Sequence, residues 1–181
     1  RDVETFEKRL AAAVGTYHAV GVSSGTDALI VSLLALGIGP GDEVLVPAYT
    51  FFATAGSVVR VGATPIFVDV CPACFNLDTD DLASKVTPRT RAIIPVHLFG
   101  QAAEMDAVEA IAQERGIHII EDAAQALGAR YRGRQVGSMG TVGCFSFFPT
   151  KNLSGFGDAG AITTNDDSLA ETLRRVRNHG M

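Results

Sequence analysis

The sequence has no tryptophan, only three cysteines, no cluster of lysine and arginine, and no apolar run near the length of a membrane span. Each shortage removes a class of function. Without about 18 consecutive apolar residues, no transmembrane helix is expected. Lys and Arg number 15 against 20 Asp and Glu, for a formal net charge of −5. Neither nucleic acid nor an anionic membrane is therefore the expected main partner. Cys71, Cys74 and Cys144 are too few, and odd in number, for a disulfide framework. Cys71 and Cys74 do form a C-x-x-C within CPAC. A zinc site would need a second ligand pair at matching spacing, so no metal site is expected. A redox dithiol would open a helix straight after a strand, whereas FNLDTDD intervenes. The pair reads as two loop thiols. The opening RDVETFEKRL lacks the charged-then-apolar order of a signal peptide and has no initiator methionine. A fragment of a soluble cytoplasmic protein is expected.

What the sequence does have is a core. It is 47% hydrophobic over 181 residues, enough for one domain with a sizeable buried interior. Val3, Phe6, Leu10 and Val14 recur at helical spacing and predict a helix over 3–14. From there short apolar strands alternate with helices. Strands are expected at 19–24, 44–48, 65–70, 92–98, 117–122, 142–148 and 159–164. Helices are expected at 25–36, 50–61, 79–86, 104–115 and 167–178, the fourth of them stopping at Gly116. This alternation predicts βαβ crossovers and a mainly parallel sheet. No helix separates the last two strands, so the sheet should be mixed. Repeats, low-complexity segments and linkers are absent.

Ligands in such sheets lie beyond the carboxyl ends of the strands, and four segments place chemistry there. In SSGTDAL, Gly25 and Thr26 open a helix after a strand. Free N–H groups, the helix dipole and the Thr26 hydroxyl could cradle a phosphate, and an ordinary N-cap would use the same residues. In IIEDAAQ, Asp122 ends a strand expected to be buried, with Gln125 one turn on. A carboxylate there needs a cation or donors; a protonated pyridine nitrogen would serve, as would a structural ion pair. In SFFPTKN, Ser146 lies in a strand and Lys151 just beyond it. Partial desolvation would make that lysine nucleophilic, although most loop lysines are simply solvated. In PAYTFFAT, one of Phe51 and Phe52 could stack on an aromatic ring while the other packs into the core.

Taken together these blocks resemble the DegT/StrS-type sugar aminotransferases, which use pyridoxal phosphate and have the aspartate-aminotransferase fold. The likeness runs from SSGTDAL through GDEVLVPAYTFFAT, IFVDV, IIPVHLFGQ, IIEDAAQALG and SFFPTKNL to RNHG, essentially the whole chain. The resemblance implies an α/β fold of three layers, α/β/α, around a mainly parallel mixed sheet. It implies that Lys151 carries pyridoxal 5'-phosphate as a Schiff base and that Asp122 pairs with the pyridine N–H. Gln125 would lie near the phenolic oxygen and Phe51 would stack on the ring. Gly25, Thr26 and Ser146 would hold the phosphate. The implied reaction moves an amino group from an amino acid, glutamate in most relatives, to a nucleotide-linked keto sugar. A cytoplasmic homodimer with the active site at its interface is implied as well. Two alternatives stay open. Dehydratases of the same family carry histidine in place of the Schiff-base lysine, and Lys151 stands against that reading. A non-catalytic regulator that binds pyridoxal phosphate is the other. The family usually has an acidic residue where Cys71 stands. Its members also continue past RNHG into a small C-terminal domain, so residues 1–181 are expected to be the cofactor-binding large domain alone.

Overall fold

Strands buried on both faces must lie between layers of helices, and the computed structural model, which describes residues 2–180, arranges them so. Helix α1 (Asp2–Val14) leads into β1 (His18–Val22), α2 (Gly25–Ala35) and β2 (Glu43–Pro47). Then come α3 (Phe52–Arg60), β3 (Thr64–Val68), α4 (Thr79–Lys85), β4 (Thr90–Ile93), α5 (Met105–Arg115) and β5 (His118–Asp122). A small hairpin of β6 (Arg130–Tyr131) and β7 (Arg134–Gln135) precedes β8 (Val142–Ser146), β9 (Gly160–Thr164) and α6 (Asp167–Arg177). The main sheet has seven strands in the order β1-β9-β8-β5-β4-β2-β3. The pairs from β8 to β3 are parallel, whereas β9 runs antiparallel to both β8 and β1.

Side-chain alternation along the strands divides the core in two. Val44, Val46, Ile120 and Val142 meet Leu33 of α2, Val58 of α3 and Leu173 of α6 on one face. Leu45, Ile93 and Ile119 meet Leu82 of α4 and Val108 of α5 on the other, while Leu10 and Val14 of α1 cover Phe145 and Ala161. The architecture is a three-layer α/β/α sandwich. Leu33, Leu45, Ile93 and Ile120 are fully buried, each contributing about 1.5–3 kcal/mol by leaving water.

The predicted elements match the structure to within a few residues, with two departures. The strand expected at 92–98 ends at Ile93, because Pro95 has no N–H to continue a ladder. Val96 then makes a single parallel bridge to Asp122 before a short 3-10 turn, Leu98–Gly100, with Phe99 at φ +53°. The β6–β7 hairpin was not expected; two-residue strands carry no readable period. Among the described residues, no helix is long and apolar enough to cross a membrane. Nor could any group of three or more His, Cys, Asp or Glu hold a metal ion.

Candidate active site

The carboxyl ends of β1, β2, β5 and β8 surround a cavity of about 320 Å³. Gly25, Thr26, Phe51, Asp122, Gln125, Ser146 and Lys151 all line it. The structure thus brings together every site residue expected from the sequence. Thr50, Thr150 and Asp158 line it as well, and the sequence reading passed over these three.

At one end of the cavity, the turn from β1 into α2 is pressed against the strands beside it. Ser24 is the N-cap of α2: its Oγ accepts the Asp27 N–H at 2.9 Å and donates to the Asp27 carboxylate at 3.0 Å. The capping reading of this segment therefore holds for Ser24. Gly25 is a different matter. A Cβ there would lie 2.6 Å from Ser146 Cβ and 3.1 Å from Ser146 Oγ. Only glycine lets the start of α2 approach the end of β8 so closely, and the approach leaves a helix N-terminus facing the cavity beside the Thr26 and Ser146 hydroxyls. First-turn N–H groups without intrahelical partners attract anions.

Asp122 lies deeper. It is buried, and its donors are neutral: Thr54 Oγ1 donates at 2.9 Å and the Ala124 N–H at 3.2 Å. Burial pushes the Asp122 carboxyl above the usual carboxylate range, against the pull of Thr54, Ala124 and, more weakly, Lys151. Thr54 is itself hydrogen-bonded to Thr50 at 3.1 Å. Sequence reasoning missed Thr54, whose only signal was its place one turn into the helix after PAYTFF.

Behind Asp122 lies a second buried carboxylate, also missed. Glu121 Oε2 accepts from His97 Nε2 at 2.9 Å and the Gly137 N–H at 2.7 Å. Its Oε1 accepts the Met139 and Gly140 N–H groups at 2.7 and 2.6 Å. His97 Nδ1 accepts the Ala103 N–H at 3.1 Å, which leaves the ring proton on Nε2. His97 is therefore structural. Its backbone N–H also bonds the Asp122 carbonyl at 3.0 Å, holding that residue from behind.

Gln125 Oε1 accepts the Phe99 N–H at 2.9 Å, so its amide nitrogen remains to donate. Lys151 lies on the turn after β8, its N–H bonded to the Phe148 carbonyl at 2.8 Å. Phe51 lines the cavity with 70% of its surface exposed. Phe52 does not pack into the core, the place foreseen for the second aromatic. It is 82% exposed, its ring lying along α3 over Gly56. The helix begins at the rim of the sheet, with Thr54 of its first turn buried and Phe52 left on the outside.

A group that suits this cavity would carry an anion at the α2 end, a flat face beside Phe51, a cationic N–H towards Asp122 and a carbon that an amine can attack near Lys151. Pyridoxal phosphate fits each of these demands.

Residues 1–181 match the model of the DegT/DnrJ/EryC1/StrS aminotransferase family. A "pleiotropic regulatory protein" of Geobacillus stearothermophilus is 53% identical over 97% of this chain and 48% of its own length. A UDP-N-acetyl-3-dehydro-alpha-D-glucosamine 3-aminotransferase of Acidithiobacillus ferrooxidans is 53% identical over 96% of this chain and 47% of its own. Among solved structures, ntda from Bacillus subtilis, described with bound cofactor PMP, superposes with a TM-score of 0.92 at 39% identity. That match covers 97% of this chain and 39% of the other. The chain spans about half the length of the curated relatives it matches.

Proposed function

The chain belongs to the DegT/DnrJ/EryC1/StrS aminotransferase family, and on that premise we propose that it is the cofactor-binding large domain of a sugar aminotransferase. The amino donor is an amino acid, glutamate, and the acceptor is a keto sugar carried on a nucleotide. One observation carries the reading above the others. The ends of three strands, β1 with Gly25, β5 with Asp122 and β8 with Ser146 and Lys151, converge on a single cavity.

Pyridoxal phosphate, when bound, supplies an electrophilic carbonyl carbon and a ring able to accept the electrons of a broken C–H bond. The residues divide the remaining work. The α2 N-terminus, with Thr26 and Ser146, binds the phosphate and fixes the ring's position. Asp122 keeps a proton on the ring nitrogen; a buried carboxylate with neutral donors gains most from such a cation. Gln125 donates its amide N–H to the phenolic oxygen, and Phe51 packs on the ring face. Lys151 Nζ would hold the cofactor at its carbonyl carbon and would move the proton at the donor's Cα as general base.

The partner is a second copy of the chain. Phe51, Phe148 and Phe156 in loops, Phe99 in the 3-10 turn and Phe52 at the start of α3 are all exposed at the cavity's end of the sheet, an apolar rim of the kind that a protein partner covers. The three free cysteines suit a reducing compartment, so the cytoplasm is the proposed location.

The experiment is to incubate the intact protein with pyridoxal phosphate, fix it with borohydride and map the label. Label on Lys151, lost in Lys151→Ala, is expected; a Lys151→Ala protein fixed as fully as wild type would overturn the assignment. Adding glutamate before the borohydride should abolish the label. The name of the Geobacillus relative prompts a regulatory reading, and a regulator that binds the cofactor without turnover would keep its label in glutamate.

A further inference from the structure

The C-x-x-C lies in the connection between β3 and α4, and the chain there turns back on Cys71 at once. The Cys71 carbonyl accepts the Cys74 N–H at 3.3 Å and the Phe75 N–H at 2.8 Å. A turn of this kind keeps its first and fourth Cα atoms within about 7 Å. Disulfides span Cα separations of about 4.4–6.8 Å. The loop is anchored at both ends. The Cys71 N–H bonds the Asn76 carbonyl at 2.9 Å, and Val70 pairs with Leu77 across its base. The Asn76 side chain donates to the Gln101 and Ala102 carbonyls at 3.2 and 3.0 Å. Both sulfurs keep partial access to solvent, whereas Cys144 is buried.

The two thiols are not equivalent. The backbone N–H groups of Ala73 and Cys74, and then the Cys74 thiol, hold the Cys71 thiol below its ordinary range, although the charge of Asp78 opposes them. The Asn76 N–H favours a thiolate at Cys74 too. Burial, donation to Cys71 and the nearby charge of Glu104 outweigh it and leave that thiol above its ordinary range. A low thiol beside a high one is the division of labour between an attacking and a resolving cysteine.

We propose that Cys71 and Cys74 form a redox-active pair that exchanges with small-molecule disulfides of the glutathione type. The Cys71 thiolate attacks one sulfur of the small disulfide; that S–S bond breaks, and one small thiolate leaves and takes a proton from water. Cys74 then gives its proton to water and attacks the Cys71 sulfur, expelling the second small thiol. Two protein thiols are oxidised to one disulfide, and one small disulfide is reduced to two thiols.

The test equilibrates the reduced, intact protein in mixtures of glutathione and glutathione disulfide, quenches with acid and an alkylating agent, and maps the peptides by mass. Wild type should accumulate a peptide with residues 71 and 74 joined, two hydrogens lighter than its reduced form. Cys74→Ser should stop as a glutathione adduct on Cys71. Cys71→Ser should form adducts at least about tenfold more slowly. If wild type in the most oxidising mixture kept both thiols, or carried glutathione without joining them, the proposal would be overturned. Equal adduct rates in the two variants would overturn the assigned roles. The wild-type map stands alone should either variant fold poorly.

Discussion

Asp122→Asn removes a charge while keeping the side chain's shape, so it separates what the carboxylate does to the fold from what it does for the ring. The wild-type carboxyl titrates above the usual carboxylate range in the folded protein because it is buried. Between the unfolded value, about 3.9, and the folded one, the native state binds more protons than the unfolded chain. Stability is then complete below the unfolded value and falls as pH rises through the folded one. Asparagine has no such dependence. Its Oδ1 can keep the Ala124 N–H, and its Nδ2 can donate to Thr54 Oγ1, whose hydroxyl turns towards Thr50 at 3.1 Å. Replacing the buried charge by a neutral group that keeps its hydrogen bonds removes its desolvation cost, on the order of the 1–4 kcal/mol gained when buried ion pairs give way to neutral residues. A chain of this size gains roughly 2–4 °C per kcal/mol. Stripped of pyridoxal phosphate, the Asp122→Asn variant should therefore melt several degrees above wild type near neutral pH. Calorimetric melts at a series of pH values should show that gap closing towards about pH 4. With pyridoxal phosphate restored, the same variant should react with glutamate several orders of magnitude more slowly. A gap that ignored pH, or a stripped variant less stable than wild type at neutral pH, would refute the reasoning.

Gly25→Ala places a Cβ 2.6 Å from Ser146 Cβ. Overpacking of about 1–3 kcal/mol at the phosphate end should weaken pyridoxal phosphate binding roughly 10-fold or more, measured by fluorescence titration; unchanged affinity would remove Gly25 from the cradle. Glu121→Gln is nearly isosteric, but each carboxylate oxygen faces two donors, so the new amide N–H₂ must point at two of them. His97 cannot relieve this by shifting its proton, because Nδ1 already accepts from Ala103. Two buried donors left unpaired, at about 1–3 kcal/mol each, should lower stability in denaturant unfolding, and a midpoint equal to wild type would contradict it.

Most of the sheet was legible because its strands are buried on both faces and bounded by glycine, proline or acidic caps. β2 is the clearest example, with all five residues buried. The antiparallel seat of β1 beside β9 was not legible, since nothing local in HAVGV says which edge it will join. In the site, Lys151 and Gly25 could be found because each follows a strand, and Asp122 because it ends one. Glu121 could not be separated from its neighbour. Two acids in succession at the end of a buried strand gave a signal, but only the fold shows that they face opposite helical layers. Thr54 was hidden for a simpler reason: a threonine in the first turn of a helix is ordinary until a carboxylate is found above it.

The alternation of Glu121 and Asp122 makes the register of β5 a chemical quantity. Asp122 is paired with Cys144 of β8 and Ile120 with Val142. A slip of one residue would turn every side chain of the strand to the other face. Depending on the direction of the slip, Ile120 or Asp122 would then stand where Glu121 clamps the Gly137–Gly140 turn, and Glu121 or Ala123 would take the place of Asp122 at the cavity. Glu121, with four donors waiting on one side only, penalises that misalignment heavily. It acts as a register mark for the strand: with β5 one step out, the Gly137–Gly140 turn loses the carboxylate that holds it closed.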